Sequence, residues 1–223
     1  MKVAIMQPYF YPYLGYYQLI SECDHFIFLD DVNFIKKGFI HRNFINISDE
    51  RSQINLRIVK ASQNKKINEL AIADSTVDFT NKIEAHYKKS KYWNDLCKII
   101  DNHKLEKTSS LSEFLININT YLISCFDIEV ITSKSSDIKL DNLDLIGQEK
   151  IIELTKAVNG TDYINLPGGK ILYDGQIFSE NGLELNFIIP QLKLNGEIEN
   201  SYSIVDAVAN YGFDFLRNWF KKN

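Results

Sequence analysis

Two unbroken apolar runs, Lys2–Met6 (KVAIM) and His25–Leu29 (HFIFL), stand within the first 30 residues. Neither alternates with polar residues, so each reads as a strand buried on both faces, the habit of parallel sheets. Between them, Gly15 to Cys23 places Tyr16, Leu19, Ile20 and Cys23 at helical spacing. Strand, helix, strand over so short a span predicts a βαβ unit with a right-handed crossover. Parallel strands end on one edge of the sheet, so the loops after Met6 and Leu29 are predicted to be neighbours. That carboxyl edge is where open α/β sheets bind ligands.

The remaining pattern extends this core. Phe39–Ile47 and Gln53–Val59 alternate around the polar turn SDER and read as an antiparallel hairpin, and Lys65–Ala73 adds a further strand. Phe79–Lys89 and Tyr92–His103 are amphipathic helices, and Leu111–Phe126 is a more apolar one capped by Ser109 or Ser110. Ile128–Thr132 is a strand. Asn142–Val158 is a helix capped by Asn142 and stopped at Asn159–Gly160. Asp162–Leu166 and Leu183–Ile188 complete the strands, and Ser203–Tyr211 and Phe213–Phe220 close the chain on either side of Gly212. The expected fold is α/β, a mostly parallel Rossmann-like sheet with an antiparallel hairpin and a helical insertion. The 223 residues are expected to form one domain with the inserted region at about 39–126.

Composition bounds the partners. A net charge of −4 advertises no basic face for nucleic acid. Cys23, Cys97 and Cys125 are odd in number and widely spaced, and read as buried thiols rather than a disulfide framework or a zinc site. No tightly held metal or cofactor is expected. The N-terminal run is too short for a signal peptide, and no apolar run approaches the ~18 residues of a membrane span. The expected location is the cytoplasm. The sequence leaves the oligomeric state open.

Two constellations could carry chemistry. The first strand runs into the loop QPYFYPYLGYY. Gln7 is polar at a sheet edge, Pro8 and Pro12 stiffen the loop, and Gly15 begins a helix whose N–H groups favour an anion. Tyr9, Tyr13 and Tyr16 supply candidate walls. The second is DDVNFIKKGFIHRN, residues 30–43. Asp30 and Asp31 repel each other, which suits one of them to proton transfer. Lys36 and Arg42 suit phosphate, His41 is a further catalytic candidate beside the charged cluster, and Asn43 a further substrate contact. Tyr87 or the Gly168–Gly169 turn is expected to close one shared pocket.

The spacing of PYLGYYQLI also resembles the signature loop of HIGH-type nucleotidyltransferases, with Gly15–Tyr16 where Gly-His would stand. Tyrosine lacks the positive charge of those histidines, so the likeness implies a fold and a phosphate site rather than nucleotidyl transfer. Taken in order, MQPYFYPYLGYYQLI, DDVNFIKKGFIHRN, YINLPGGKILYD and SIVDAVANYG resemble the WbqC-like family over nearly the whole chain. The family's opening pattern falls on Gln7, Pro8, Pro12 and Gly15, and its charged pattern on Asp30, Asp31, Lys36, Arg42 and Asn43. Tyr87 matches its helix tyrosine and Gly168 its later turn. His41 stands where members usually carry another polar residue.

The resemblance implies a bacterial cytoplasmic setting among genes for O-antigen and other surface glycans. The expected activity is formation of an amide on a nucleotide-linked amino sugar by acyl or aminoacyl transfer, with an acyl carrier-protein thioester as a candidate donor. No Ser or Cys nucleophile with its own base is visible, so direct attack by the amine fits best. An adenylate-forming ligase using ATP and Mg²⁺ is the alternative enzyme. A module that binds a sugar nucleotide or carrier protein without catalysis is the alternative outside enzymes.

Overall fold

In the computed structural model, residues 1–73, 77–105, 110–142, 144–194, 197–198 and 202–221 are described. In chain order they form β1 (Lys2–Met6), α1 (Leu14–Ser21), β2 (His25–Phe28), β3 (Arg42–Ile47), β4 (Glu50–Asn55), β5 (Ile58–Val59) and β6 (Ala71–Ile72). These are followed by α2 (Val77–Tyr87), α3 (Trp93–Leu105), α4 (Leu111–Cys125), β7 (Ile131–Lys134), α5 (Gly147–Ala157), β8 (Asp162–Asn165) and α6 (Gly175–Glu180). The last elements are β9 (Glu184–Phe187), β10 (Lys193–Leu194), β11 (Glu197–Ile198) and α7 (Ile204–Phe220). They gather into two compact units.

The first unit comprises Met1–Gln7, Gln18–Leu29 and Glu129–Gln191. It holds a five-stranded sheet of order β7-β2-β1-β8-β9, and every neighbouring pair is parallel. The predicted pairing of β1 with β2 is present, with Val3 opposite His25 and Met6 opposite Phe28. Val3, Ile5, Ile27 and Tyr163 face one side of the sheet and pack with Ile151, Ile152 and Leu154 of α5 and with Phe178 of α6. Alternation puts Phe26 and Phe28 on the opposite side, their rings 5.0 Å apart. Removing such side chains from water is the main force that assembles a sheet of this kind.

The second unit comprises Pro8–Tyr17, Asp30–Ile128 and Leu192–Asn223. The expected hairpin is present as β3–β4 but with shifted bounds: its first strand begins at Arg42 rather than Phe39, and Glu50 and Arg51 of the expected SDER turn are already strand, Ile47 standing opposite Glu50. Its two-residue turn, Ser48–Asp49, has φ of 52° and 66°, the doubly positive combination that matches the twist of paired strands. Phe79 of α2 packs edge-on against Phe10, with ring centres 5.0 Å apart. Phe126 packs against Tyr17, Phe213 and Phe220. The kink expected at Gly212 is present, with φ 74°. Ser203 caps α7 and Ser110 caps α4, as predicted.

Several boundaries differ from the sequence reading, each for a local reason. The strand expected at Ile128–Thr132 begins at Ile131. Asp127, with φ 58°, turns the end of α4 so that the Ile128 N–H donates to Ile123 O, and Ile128 is spent in the cap. The helix expected from Asn142 begins at Gly147, because the Asn142 side chain instead accepts from the Asp144 N–H in a local turn. Of Lys65–Ala73, only Ala71–Ile72 is strand, paired with Ile58–Val59. Ile67–Glu69 forms a 3₁₀ turn in which the Glu69 carboxylate accepts from the Lys66 N–H. The small β10–β11 pair follows the strand that was expected to be last.

Candidate functional site

The order of the parallel sheet fixes where its crevice lies. From β1 the chain builds outward to β2 and β7, then crosses back to β8 and β9 on the other side. The order therefore reverses between β1 and β8, the place where crossovers diverge and ligands enter. The pairing shows the divergence. β1 and β8 are matched only through Lys2–Ala4 and Asp162–Ile164, whereas β1 stays with β2 through Met6. The strands part before either ends. Gln7 leaves from one side, half-buried, and Asn165 to Gly169 leave from the other.

Polar groups concentrate at this parting. Tyr163 and Asn165 are two apart on β8 and so share a face. Asn165 is 4% exposed; its Nδ2 donates to Tyr163 Oη at 2.9 Å and its Oδ1 accepts from the Leu166 N–H at 2.7 Å. Tyr163 Oη lies 3.4 Å from Ile5 O and 3.2 Å from Tyr173 Oη. Burial raises the pKa of both phenols, so each remains a protonated donor at neutral pH. Gly169 is buried, and a Cβ there would stand 3.0 Å from Asn165 Nδ2 and 3.2 Å from the Tyr173 ring. Gly168 is exposed, with nothing within 4 Å of where a Cβ would stand. Lys150, buried in the early turns of α5, adds a positive charge to the same unit. The sequence reading missed Tyr163, Asn165, Tyr173 and Lys150. A polar Asn inside an apolar strand that runs into Pro-Gly-Gly was the available signal.

The other expected site residues belong to the second unit, where most are engaged internally. Asn43, 2% exposed, donates both amide hydrogens, to Phe10 O at 3.1 Å and Tyr11 O at 2.6 Å, and its Oδ1 accepts from the Phe44 N–H. Tyr11 has φ 43°, a left-handed bend that these bonds hold. Tyr9 is half-buried, its ring against Tyr16 and Phe39; its carbonyl accepts from Asn119 Nδ2 at 2.8 Å. Tyr16 is fully buried, and Pro12 is buried with its carbonyl accepting from the Ile204 N–H. Gly15, the second residue of α1, lies under the Tyr13 ring: a Cβ would fall 2.5 Å from the ring carbon Cε2. A side chain at this position would force the Tyr13 ring to shift. Burial, then the neighbouring Tyr9, pushes the Tyr13 hydroxyl up to about 12.

Asp30 is 2% exposed and accepts from Ser112 Oγ at 2.9 Å, while Asp31 is half-buried. Lys36 is exposed. Arg42 donates through Nε to Gly38 O at 3.2 Å and through Nη2 to Lys37 O at 2.5 Å, so its fork closes the 36–39 turn. His41 is half-buried, with Nδ1 lacking a hydrogen-bond partner among the described residues. Burial and then the charge of Arg42 hold its pKa below the usual value, so the ring is neutral at pH 7. The Tyr87 hydroxyl donates to Asp206 Oδ1, which also accepts from the Asn46 N–H. Asp206, read from sequence as a first-turn acid, is buried and joins α2, β3 and α7. Asn119 and Ser112 were likewise not singled out.

No group of three or more His, Cys, Asp or Glu suited to a metal occurs among the described residues. No helix is long and apolar enough to cross a membrane among them. No solved structure matches the chain. The uncharacterized protein Rv1507c of Mycobacterium tuberculosis is 27% identical over 241 aligned positions, covering 97% of each chain. The WbqC-like protein family matches residues 7–218, nearly the whole length and all four of the motifs quoted above, and the chain belongs to that family.

Proposed function

We propose that the protein is an N-acyl- or aminoacyltransferase that forms an amide on a nucleotide-linked amino sugar during assembly of a bacterial surface glycan. The observation that carries this reading is the parting of β1 and β8 at the sheet's carboxyl edge, flanked by Gln7 and the Asn165–Gly169 turn. A nucleotide-linked ligand suits such an edge. In the proposed step the amine nitrogen attacks the carbonyl carbon of a carrier-protein thioester. The C–N bond forms, the C–S bond breaks and the thiolate departs. A carboxylate takes the proton lost from nitrogen.

Asp31 is assigned that proton. Asp30 is the more buried of the pair and is held by Ser112, which suits it to positioning. Two of the three cysteines, Cys23 and Cys125, fit direct attack better than an acyl-enzyme. Burial pushes the Cys23 thiol up to about 12 and raises Cys125 as well, so neither offers a thiolate at neutral pH.

The test is turnover. Purified protein is incubated with UDP- or dTDP-linked amino sugars and acyl carrier-protein thioesters, and amide products are read by mass spectrometry. Asp31→Asn is expected to lower turnover by about 10²–10⁴-fold with unfolding unchanged. Undiminished turnover in both Asp31→Asn and Asp30→Asn removes the assigned base. Sugar-nucleotide binding with no product from any donor points to the non-catalytic module instead.

A further inference from the structure

Tyr163 Oη has one proton and two acceptors in range, Ile5 O at 3.4 Å and Tyr173 Oη at 3.2 Å. Asn165 Nδ2 already donates to Tyr163 Oη at 2.9 Å, which polarises that hydroxyl as a donor. When Tyr163 donates to Tyr173, the shorter of its two contacts, Tyr173 must send its own proton elsewhere. Its ring is fixed edge-on against Tyr163 and Phe178, with centres 5.4 and 5.8 Å away. Tyr173 is half-buried, whereas Tyr163 is wholly buried, so the chain of hydroxyls runs from the core outward.

The turn beside it leaves room. Gly169 admits Asn165 and Tyr173 to close range, and Gly168 faces open space. Beyond the exposed Lys170, Ile171 and Leu172 are 91% and 64% exposed, an apolar surface beside a cation and a polar donor. A nucleoside diphosphate has that same division, a flat face next to charged oxygens.

We propose that the Tyr173 hydroxyl donates a hydrogen bond to the diphosphate of a nucleotide-linked ligand, with Asn165 and Tyr163 as positioning residues that orient it. This rests on the nucleotide-sugar reading above and names a contact that the charged motif at 30–43 did not supply.

Calorimetric titration with UDP and dTDP tests it, with uridine and thymidine as controls that lack phosphate. Tyr173→Phe removes one oxygen and leaves the ring packing in place. It is expected to weaken diphosphate binding by about 10- to 100-fold, the range for a hydrogen bond to a charged group, and to leave nucleoside binding unchanged. In a Tyr163→Phe background, where one donor to Tyr173 is gone and Asn165 alone remains beside it, the further loss from Tyr173→Phe is expected to shrink. That coupling is one a purely structural role would not produce. Equal UDP and dTDP affinity in wild type and Tyr173→Phe overturns the assignment and leaves the nucleotide reading standing. Failure of wild type to bind either diphosphate overturns the nucleotide reading, and the assignment with it.

Discussion

Asn43 and Asn165 are both buried strand asparagines, 2% and 4% exposed, and each uses its Oδ1 to accept the N–H of the next residue. They differ in where the amide hydrogens go. Those of Asn43 end on two backbone carbonyls, Phe10 O and Tyr11 O. One of Asn165 ends on a phenol that lies beside a second, half-buried phenol. A backbone carbonyl has nothing to pass on, whereas a hydroxyl accepts and donates. The densest cluster of polar residues in the sequence therefore spends much of its hydrogen bonding on holding loops. The sparser motif after β8 keeps a donor near the surface.

The largest effect expected from this contrast is at Asn43. Asn43→Ala leaves the Phe10 carbonyl and the Phe44 N–H without their side-chain partner, while Tyr11 O keeps the Ser203 hydroxyl, and is expected to cost about 3 kcal/mol in urea unfolding. Asn165→Ala also frees one N–H, that of Leu166, but its other bond joins side chains that can re-pair, and it is expected to cost less, about 1–2 kcal/mol. Equal losses at the two positions would break the comparison.

Gly15 supplies a sharper version of intermediate size. Gly15→Ala drives a Cβ into the Tyr13 ring and is expected to destabilise by about 2 kcal/mol. Adding Tyr13→Ala removes the obstacle, so the double variant is expected to lose less from the glycine change than the single one does. If Gly15→Ala leaves stability intact and abolishes ligand binding, the glycine serves the ligand and not the ring.

The parallel core was legible because burial on both faces leaves an unbroken apolar run, a pattern that no loop reproduces. KVAIM and HFIFL became the paired β1 and β2. Errors gathered where one residue type serves two local purposes. Asn142 has the chemistry of a helix cap and used it in a turn with Asp144. Asp127 took a left-handed conformation and displaced the start of β7. Of the candidate site, the shared carboxyl edge of β1 and β2 followed from topology, whereas the parting of β1 from β8 did not. The engagement of Asn43, Arg42 and Tyr87 did not, because their partners are backbone carbonyls and a distant aspartate, 119 residues away in the case of Tyr87. Spacing along the chain carries no trace of such pairs. Tyr163 and Tyr173 were passed over because tyrosines in and after a strand read as packing.

Hydrogen–deuterium exchange with and without saturating UDP tests the central claim most directly, that the carboxyl edge of the parallel sheet at β1 and β8 receives the nucleotide. The account predicts slower exchange of backbone amides in Leu166–Tyr173. Unchanged exchange there, with protection confined to Lys36–Arg42, would contradict it.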